Sequence, residues 1–205
     1  MKNYPEIIPI FPLSGVIYFP KTNLPLNIFE ERYLSLVNDA YNKDKLIGMV
    51  QSKKEDNSVY KVGCLGKISD YQKSKDGRIL INLTGITRFE ILDEKINDKL
   101  YREFKVNYKN FEKDLTEKDG KINSSNLMEK AKKFFKQSGL LLNWKEFEKL
   151  DEAQRINTLA MISPVSNEEK QKLLEAVSIN EKIQTLESII GFYLYQVNFN
   201  NDTIQ

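Results

Sequence analysis

One change of pattern along the chain constrains its fold more than any other sequence feature. In roughly the first 110 residues, short apolar runs alternate with Pro and Gly, which is typical of β-strands bounded by turns. From residue 127 onward, apolar residues recur at intervals of three and four, which is typical of α-helices. The polar stretch 112–126 between them, EKDLTEKDGKINSSN, has almost nothing to bury. We therefore predict a β domain at 1–113, a linker at 114–123 and a helical bundle at 124–205.

The first half contains the strand and turn signals. Three apolar runs in it are predicted strands: 7–11, 15–19 and 24–28. Asn27 and Glu30 have the spacing of a capping pair, which predicts the start of one helix that ends near Asn42. Asp76-Gly77 predicts a hairpin turn, and the alternating residues after it predict further antiparallel strands. The expected class is α+β, with a mostly antiparallel sheet that carries one helix and is followed by a helical bundle.

The second half shows repeated helix starts. Four pairs there have the spacing of a capping motif: Asn143 with Glu146, Asp151 with Gln154, Ser166 with Glu169, and Ser178 with Glu181. In such a motif the first side chain accepts a hydrogen bond from the backbone N–H three residues later. A further helix before them is expected to end at Gly139. The pattern predicts a bundle of five helices.

The composition removes many kinds of catalytic site. The chain has no histidine, which excludes histidine-activated nucleophiles and histidine metal ligands. Its single cysteine, Cys64, lies between two glycines in an apolar run and is interpreted as a small buried residue, not a nucleophile. One thiol without imidazole is a poor zinc site. We expect no catalytic residues, no metal and no cofactor.

The charge balance and the N-terminus indicate the compartment. A formal net charge of +2 disfavours binding to nucleic acid or to a membrane surface on charge alone. The N-terminal sequence MKNYPEIIPIFPLSG has no signal-peptide core, and no later run approaches the roughly 20 apolar residues that span a bilayer. With only one cysteine, no intrachain disulfide is possible. The protein is expected to be cytoplasmic.

Two dense blocks of the sequence resemble a known family. The segment IPIFPLSGVIYFPKTNLPLNIFEERY resembles the opening of the Lon protease N-terminal domain. Fourteen residues carry this match: Phe11, Pro12, Leu13, Gly15, Val16, Phe19, Pro20, Pro25, Leu26, Ile28, Phe29, Glu30, Arg32 and Tyr33. A second block, DGRILINLTGITRFEIL, resembles the family's hairpin at Gly85, Arg88 and Phe89, and 163–190 is a weaker third. The resemblance implies a twisted pseudo-barrel related to the PUA domains, followed by a helical bundle.

The resemblance does not extend to catalysis. A G-x-x-x-x-G-K-[ST] phosphate cradle is absent, and the nearest fragment, GCLGKI at 63–68, has the wrong glycine spacing and no hydroxyl for magnesium. Nor does the sequence contain the family's peptidase domain with its serine and lysine pair. We expect a stand-alone recognition domain that is not an enzyme.

The resemblance implies that the chain binds exposed apolar or unfolded peptide segments, or a partner protein, in a surface groove between sheet and bundle. The candidate binding residues, taken from family-like positions, are Phe19, Pro20, Phe29, Tyr33 and Arg88. Glu30 and Arg32 are interpreted instead as helix-capping residues that fix the helix to the sheet. No oligomeric state is predicted.

RNA binding by a PUA-like module is the rival hypothesis. Its support comes from lysine clusters at 53–54, 73–75 and 130–136. Because acidic residues lie within or near each cluster and no aromatic platform accompanies them, we interpret them as solvated faces.

Overall fold

The computed structural model describes residues 4–53, 58–116 and 122–202. It divides into two compact units, Met1–Thr116 and Glu117–Gln205, here called unit 1 and unit 2. Half of the predicted linker at 114–123, residues 117–121, lies outside the described residues. Its first residues, 114–116, belong to a short helix. The domain ranges 1–113 and 124–205 stay a prediction.

Unit 1 is built on six strands, which pair in the order β2-β5-β4-β3-β1-β6. They are β1 (Ile7–Leu13), β2 (Asn23–Ile28), β3 (Leu46–Gln51), β4 (Val62–Lys73), β5 (Ile79–Lys95) and β6 (Glu103–Asn107). Because β6 pairs with both β1 and β5, five of these strands close into a barrel, and β2 lies outside the ring as an edge strand on β5. Every pair is antiparallel except β1 with β3. The α+β class with a mostly antiparallel sheet is therefore confirmed.

The helices of unit 1 follow the sheet's connections. Helix α1 (Glu31–Asn42) joins β2 to β3, and its predicted end at Asn42 is confirmed. A single 3-10 turn (Lys109–Phe111) and the short helix α2 (Lys113–Thr116) follow β6. The predicted Asp76-Gly77 hairpin is also confirmed, since Gly77 turns the chain with a φ of 89° between β4 and β5.

Two details of the predicted order are wrong. The run 15–19 is not a strand but an irregular segment, with positive φ angles at Gly15 and at Lys21 just after it. Its apolar residues Ile17 to Phe19 are buried, which accounts for the apolar composition. Asn27 does not begin α1, because it pairs with Leu80 inside β2. The N-cap residue is Glu30, and its side chain makes no capping hydrogen bond.

The packing of the barrel explains two of the family-like residues in the segment DGRILINLTGITRFEIL, Gly85 and Phe89. Phe89 is fully buried in a cluster of aliphatic and aromatic side chains contributed by all strands except β2. Burying side chains of this size contributes about 1.5 to 3 kcal/mol each. Gly85 allows close backbone contact, since a Cβ there would lie 2.2 Å from the carbonyl oxygen of Phe19. The glycine therefore lets the Phe19–Pro20 segment pack directly on β5.

Unit 2 is helical. Its elements are α3 (Ser125–Gln137), α4 (Trp144–Phe147), α5 (Glu152–Ile162), α6 (Asn167–Glu175) and α7 (Ile179–Asp202). The side chains of Asn143, Asp151, Ser166 and Ser178 each accept a hydrogen bond from the backbone N–H three residues later, which confirms the four predicted helix starts. Gly139, with a φ of 69°, follows the end of α3 as predicted. Within the described residues, no helix is both long and apolar enough to cross a membrane.

Candidate binding site

A cavity of about 800 Å³ opens in unit 1 beside the start of α1. Its volume is in the range of ordinary ligand pockets. It is lined by Phe11, Pro12, Leu13, Ser14, Leu26, Asn27, Ile28, Phe29, Glu30, Arg32, Tyr33, Ser52, Ser58 and Arg102. We call it the α1 cavity; all its lining residues belong to unit 1.

The ends of two strands and the first turn of α1 form the wall of the α1 cavity. β1 ends at Leu13. β2 ends at Ile28, and only Phe29 and Glu30 separate it from the start of α1. Side chains three and four residues apart lie on one face of a helix. One face of α1 therefore carries the buried residues Tyr33, Leu36 and Val37, which pack the helix against the sheet. This attachment brings the first turn of α1 against the end of β1.

Tyr33 is held rigidly in this wall. Its ring stacks on Phe11 with centroids 4.0 Å apart and planes 19° apart. Its hydroxyl donates a hydrogen bond to the carbonyl oxygen of Pro12 at 3.4 Å. Burial raises the pKa of Tyr33, and the nearby Arg32 opposes that rise. Tyr33 is 8% exposed, so it packs in the fold and offers little surface to the cavity.

Phe29 presents the most accessible aromatic surface of the cavity. It lies at the junction of β2 and α1 and is 64% exposed. A large apolar side chain left in water at the rim of a pocket offers free energy to any ligand that covers it. Phe29 is therefore placed to contact a ligand.

Two arginines give the α1 cavity its charged side. The Arg32 guanidinium lies 4.5 Å above the Tyr33 ring and donates from Nε and Nη2 to Glu30 Oε2, at 3.0 and 2.8 Å. Arg102 makes a two-pronged ion pair with Glu94, with both contacts at 2.6 Å, and this hydrogen bonding lowers the pKa of Glu94. The cavity thus combines aromatic surface with guanidinium groups.

The structure brings together two of the five predicted site residues. Phe29 and Tyr33 both line the α1 cavity. Phe19 is fully buried, Pro20 is buried beside it, and Arg88 is 3% exposed. These three residues cannot contact a ligand without opening the fold, so their family-like positions have a structural explanation.

Arg88 forms a buried ion pair with Asp114. Its Nη2 lies 2.7 Å from Asp114 Oδ1, while its Nε and backbone N–H both donate to Asp114 Oδ2 at 2.9 Å. Its guanidinium also lies 4.4 Å from the centre of the Phe111 ring. Arg88 therefore fixes the segment after β6 to β5.

Sequence reasoning misses several residues of the α1 cavity. Arg102, Ser52 and Ser58 come from segments distant in the chain, and no local pattern around them indicates a site. Glu30 occupies the N-cap position, in line with the capping role given to it, but its side chain pairs with Arg32 at the cavity and makes no capping hydrogen bond. The one sequence signal for Arg32 as a cavity residue is its place beside aromatic residues in the motif 25–33.

Other reactive groups do not form a site among the described residues. Cys64 is buried as predicted, and its thiol donates to the carbonyl oxygen of Leu65 at 3.7 Å. In the described ranges, no three Cys, Asp or Glu side chains are grouped so as to hold a metal ion.

Lysines line a second recess in unit 1, of about 710 Å³. Its lining residues are Lys43, Asp44, Lys45, Lys67, Ile68, Ser69, Thr84 and Ile86. We call it the lysine recess. The clusters named in the sequence lie elsewhere: Lys132 and Lys133 of the third are ion-paired with Glu148 and Glu129 on the surface, and Lys54 of the first lies outside the described residues.

Comparison with known proteins gives one consistent family. The family model of the ATP-dependent protease La (LON) substrate-binding domain matches residues 7–190. Lon protease of Syntrophus aciditrophicus is 27% identical over 206 residues, covering 93% of this chain and 25% of that protein. Lon protease of Malacoplasma penetrans is 29% identical over 201 residues, covering 90% and 25%. The chain thus spans about a quarter of the length of these curated relatives.

Two solved structures share the fold. One is the Lon N-terminal domain protein from Xanthomonas campestris, with a TM-score of 0.67 and 22% identity, covering 89% of this chain and 97% of that one. The other is the N-terminal domain of Mycobacterium avium complex Lon protease, also with a TM-score of 0.67, at 15% identity and covering 90% and 98%.

Proposed function

The chain belongs to the family of ATP-dependent protease La (LON) substrate-binding domains, and on this premise we propose that its α1 cavity binds exposed apolar segments of unfolded proteins. The occupant is a peptide segment or the matching segment of a partner protein. Binding is the function of these 205 residues, without ATP hydrolysis or peptide cleavage. The proposed compartment is the cytoplasm.

The exposure of Phe29 above a stacked aromatic wall is the observation that carries this proposal. Phe29 is 64% exposed and lines a cavity, so a ligand in that cavity that covers the ring gains most of its transfer free energy. The stacked rings of Tyr33 and Phe11 hold this wall of the cavity in place, so little ordering is needed on binding. The exposed Phe29 and the stacked rings together suit an apolar or aromatic side chain of an unfolded segment.

The non-catalytic part of the proposal is supported by residue content. The matched family model is a substrate-binding domain, and the sequence has neither a phosphate cradle nor a histidine. No grouping of metal-binding side chains occurs in the part of the chain that the structure describes.

Replacing Phe29 by Ser tests the proposal. We expect about tenfold weaker binding of a short dye-labelled peptide containing one Phe, because burial of such a side chain is worth about 1.5 to 3 kcal/mol and 1.4 kcal/mol corresponds to a factor of ten. The thermal midpoint should stay unchanged, since Phe29 is largely exposed. Fluorescence anisotropy measures the affinity.

Leu141→Ser is the matched control, because Leu141 is a fully exposed apolar residue in unit 2. It should bind the peptide as the unaltered protein does. Equal loss of affinity in both variants would show nonspecific apolar association, and no loss in Phe29→Ser would remove the α1 cavity as the site.

RNA binding is the second candidate function, and the lysine recess favours it. Three lysines line this recess, and lysine side chains neutralise phosphates in nucleic-acid complexes. We rank it below peptide binding because Asp44 shares the recess and no aromatic side chain lines it for base stacking.

A further inference from the structure

Resting on the proposed function, we propose that the α1 cavity selects segments in which an aromatic or apolar residue adjoins a carboxylate. Arg32 is the specificity-determining residue that receives this carboxylate. Glu30 occupies the same position on Arg32 when no ligand is bound and acts as an internal competitor.

The geometry of Glu30 is the first reason. It holds the N-cap position of α1, and its side chain makes no hydrogen bond to the helix N–H groups. Its Oε2 instead accepts from both Nε and Nη2 of Arg32. This is the edge of a guanidinium that a planar carboxylate fits best. A ligand carboxylate would meet the same two donors.

The Arg32 guanidinium is held beside the cavity by an aromatic ring. The guanidinium lies over the Tyr33 ring, and the ring is itself fixed by stacking on Phe11. Both Arg32 and the exposed Phe29 line the cavity. An apolar residue against Phe29 and a neighbouring carboxylate on Arg32 therefore belong to one ligand segment.

The exposure of the Glu30–Arg32 pair allows exchange. Its side chains are 46% and 57% exposed, and ion pairs of this kind contribute little to stability, so replacing Glu30 by another carboxylate costs little. The contrast is the Arg88–Asp114 pair, whose side chains are 3% and 10% exposed and which cannot exchange without opening the core. Arg102 also lines the cavity, and its charge is compensated by the two-pronged ion pair with Glu94.

Three dye-labelled peptides test the inference. They contain one Phe and differ only in the next residue, which is Glu, Gln or Lys. We expect the affinity to fall in that order, with the Glu peptide binding roughly fivefold tighter than the Gln peptide, the ratio expected for one exposed charge pair. Arg32→Gln should remove this preference, so that the variant binds the Glu and Gln peptides with equal affinity. Glu30→Gln should strengthen binding of the Glu peptide, because the competitor is lost.

A second acid–arginine pair provides matched controls. Asp76 and Arg78 are also two residues apart, ion-paired and exposed, but lie at the β4–β5 hairpin and not at the α1 cavity. Asp76→Asn and Arg78→Gln change the same charges and should leave the preference intact.

The outcomes separate the inference from the function on which it rests. Equal binding of all three peptides, or a preference that survives Arg32→Gln, would overturn the inference and leave peptide binding standing. Absence of binding by all three peptides would overturn both. Loss of the preference in Arg78→Gln as well would also overturn it, because the effect would then come from net charge.

Discussion

Replacing Asp114 by Ala is expected to lower the free energy of unfolding of unit 1 by about 3 to 5 kcal/mol, the usual cost of removing one partner of a buried ion pair. Arg88 is 3% exposed, and both its guanidinium and its backbone N–H donate hydrogen bonds to the Asp114 carboxylate. Without Asp114 the guanidinium stays buried but loses the carboxylate that accepts these hydrogen bonds, so less of its desolvation is compensated.

Hydrogen exchange of the β4 and β5 amides as a function of urea measures this free energy for unit 1. The single tryptophan, Trp144, lies in unit 2, so its fluorescence reports whether the other unit is affected. Asp76→Ala, which breaks an exposed pair, should cost no more than about 1 kcal/mol. The double variant Arg88→Met with Asp114→Leu should recover most of the loss, because no buried charge remains. An Asp114→Ala protein within 1 kcal/mol of the original would show that the pair does not hold β5 to α2.

Tyr33→Ala should destabilise unit 1 by about 3 to 5 kcal/mol, as truncation of a large buried aromatic residue does. The substitution removes the ring stacked on Phe11 and leaves a void between α1 and the end of β1. The same exchange measurement applies, with Trp144 again reporting on unit 2.

Tyr33→Phe is the control for the ring. It keeps the stacking and removes only the 3.4 Å hydrogen bond to Pro12, which should cost at most about 1 kcal/mol. If Tyr33→Ala left the free energy of unfolding unchanged, the ring would have no role in packing. That result would contradict the claim that Tyr33 holds the wall of the α1 cavity rigid.

The fold could be predicted from the sequence wherever the signal is local. The turn at Asp76-Gly77 and the capping pair Ser166 with Glu169 each depend on residues a few positions apart, and both are confirmed. The irregular conformation of 15–19 could not be predicted, because a short buried apolar run has the same composition whether or not it pairs with a neighbouring strand.

The candidate site could be predicted only in part for the same reason. Phe29 and Tyr33 belong to one continuous motif, and both line the α1 cavity. Arg88 was selected from a family-like position, but its partner Asp114 lies 26 residues away in the predicted linker, so its burial has no sequence signature. Arg102 reaches the cavity only because β6 pairs with β1 and β5.

The most direct test of peptide binding is a parallel titration of the unaltered protein with the neutral Phe–Gln peptide and with single-stranded RNA, at low and at moderate salt, by calorimetry. Burial of apolar surface in the α1 cavity predicts peptide affinity that is nearly independent of salt, together with a negative heat-capacity change on binding. RNA held by the lysine recess would instead lose affinity steeply as salt rises, through counterion release. We expect the peptide pattern and only weak RNA binding. Tight RNA binding that collapses with salt, alongside no detectable peptide binding, would contradict the proposed function and favour the RNA-binding alternative.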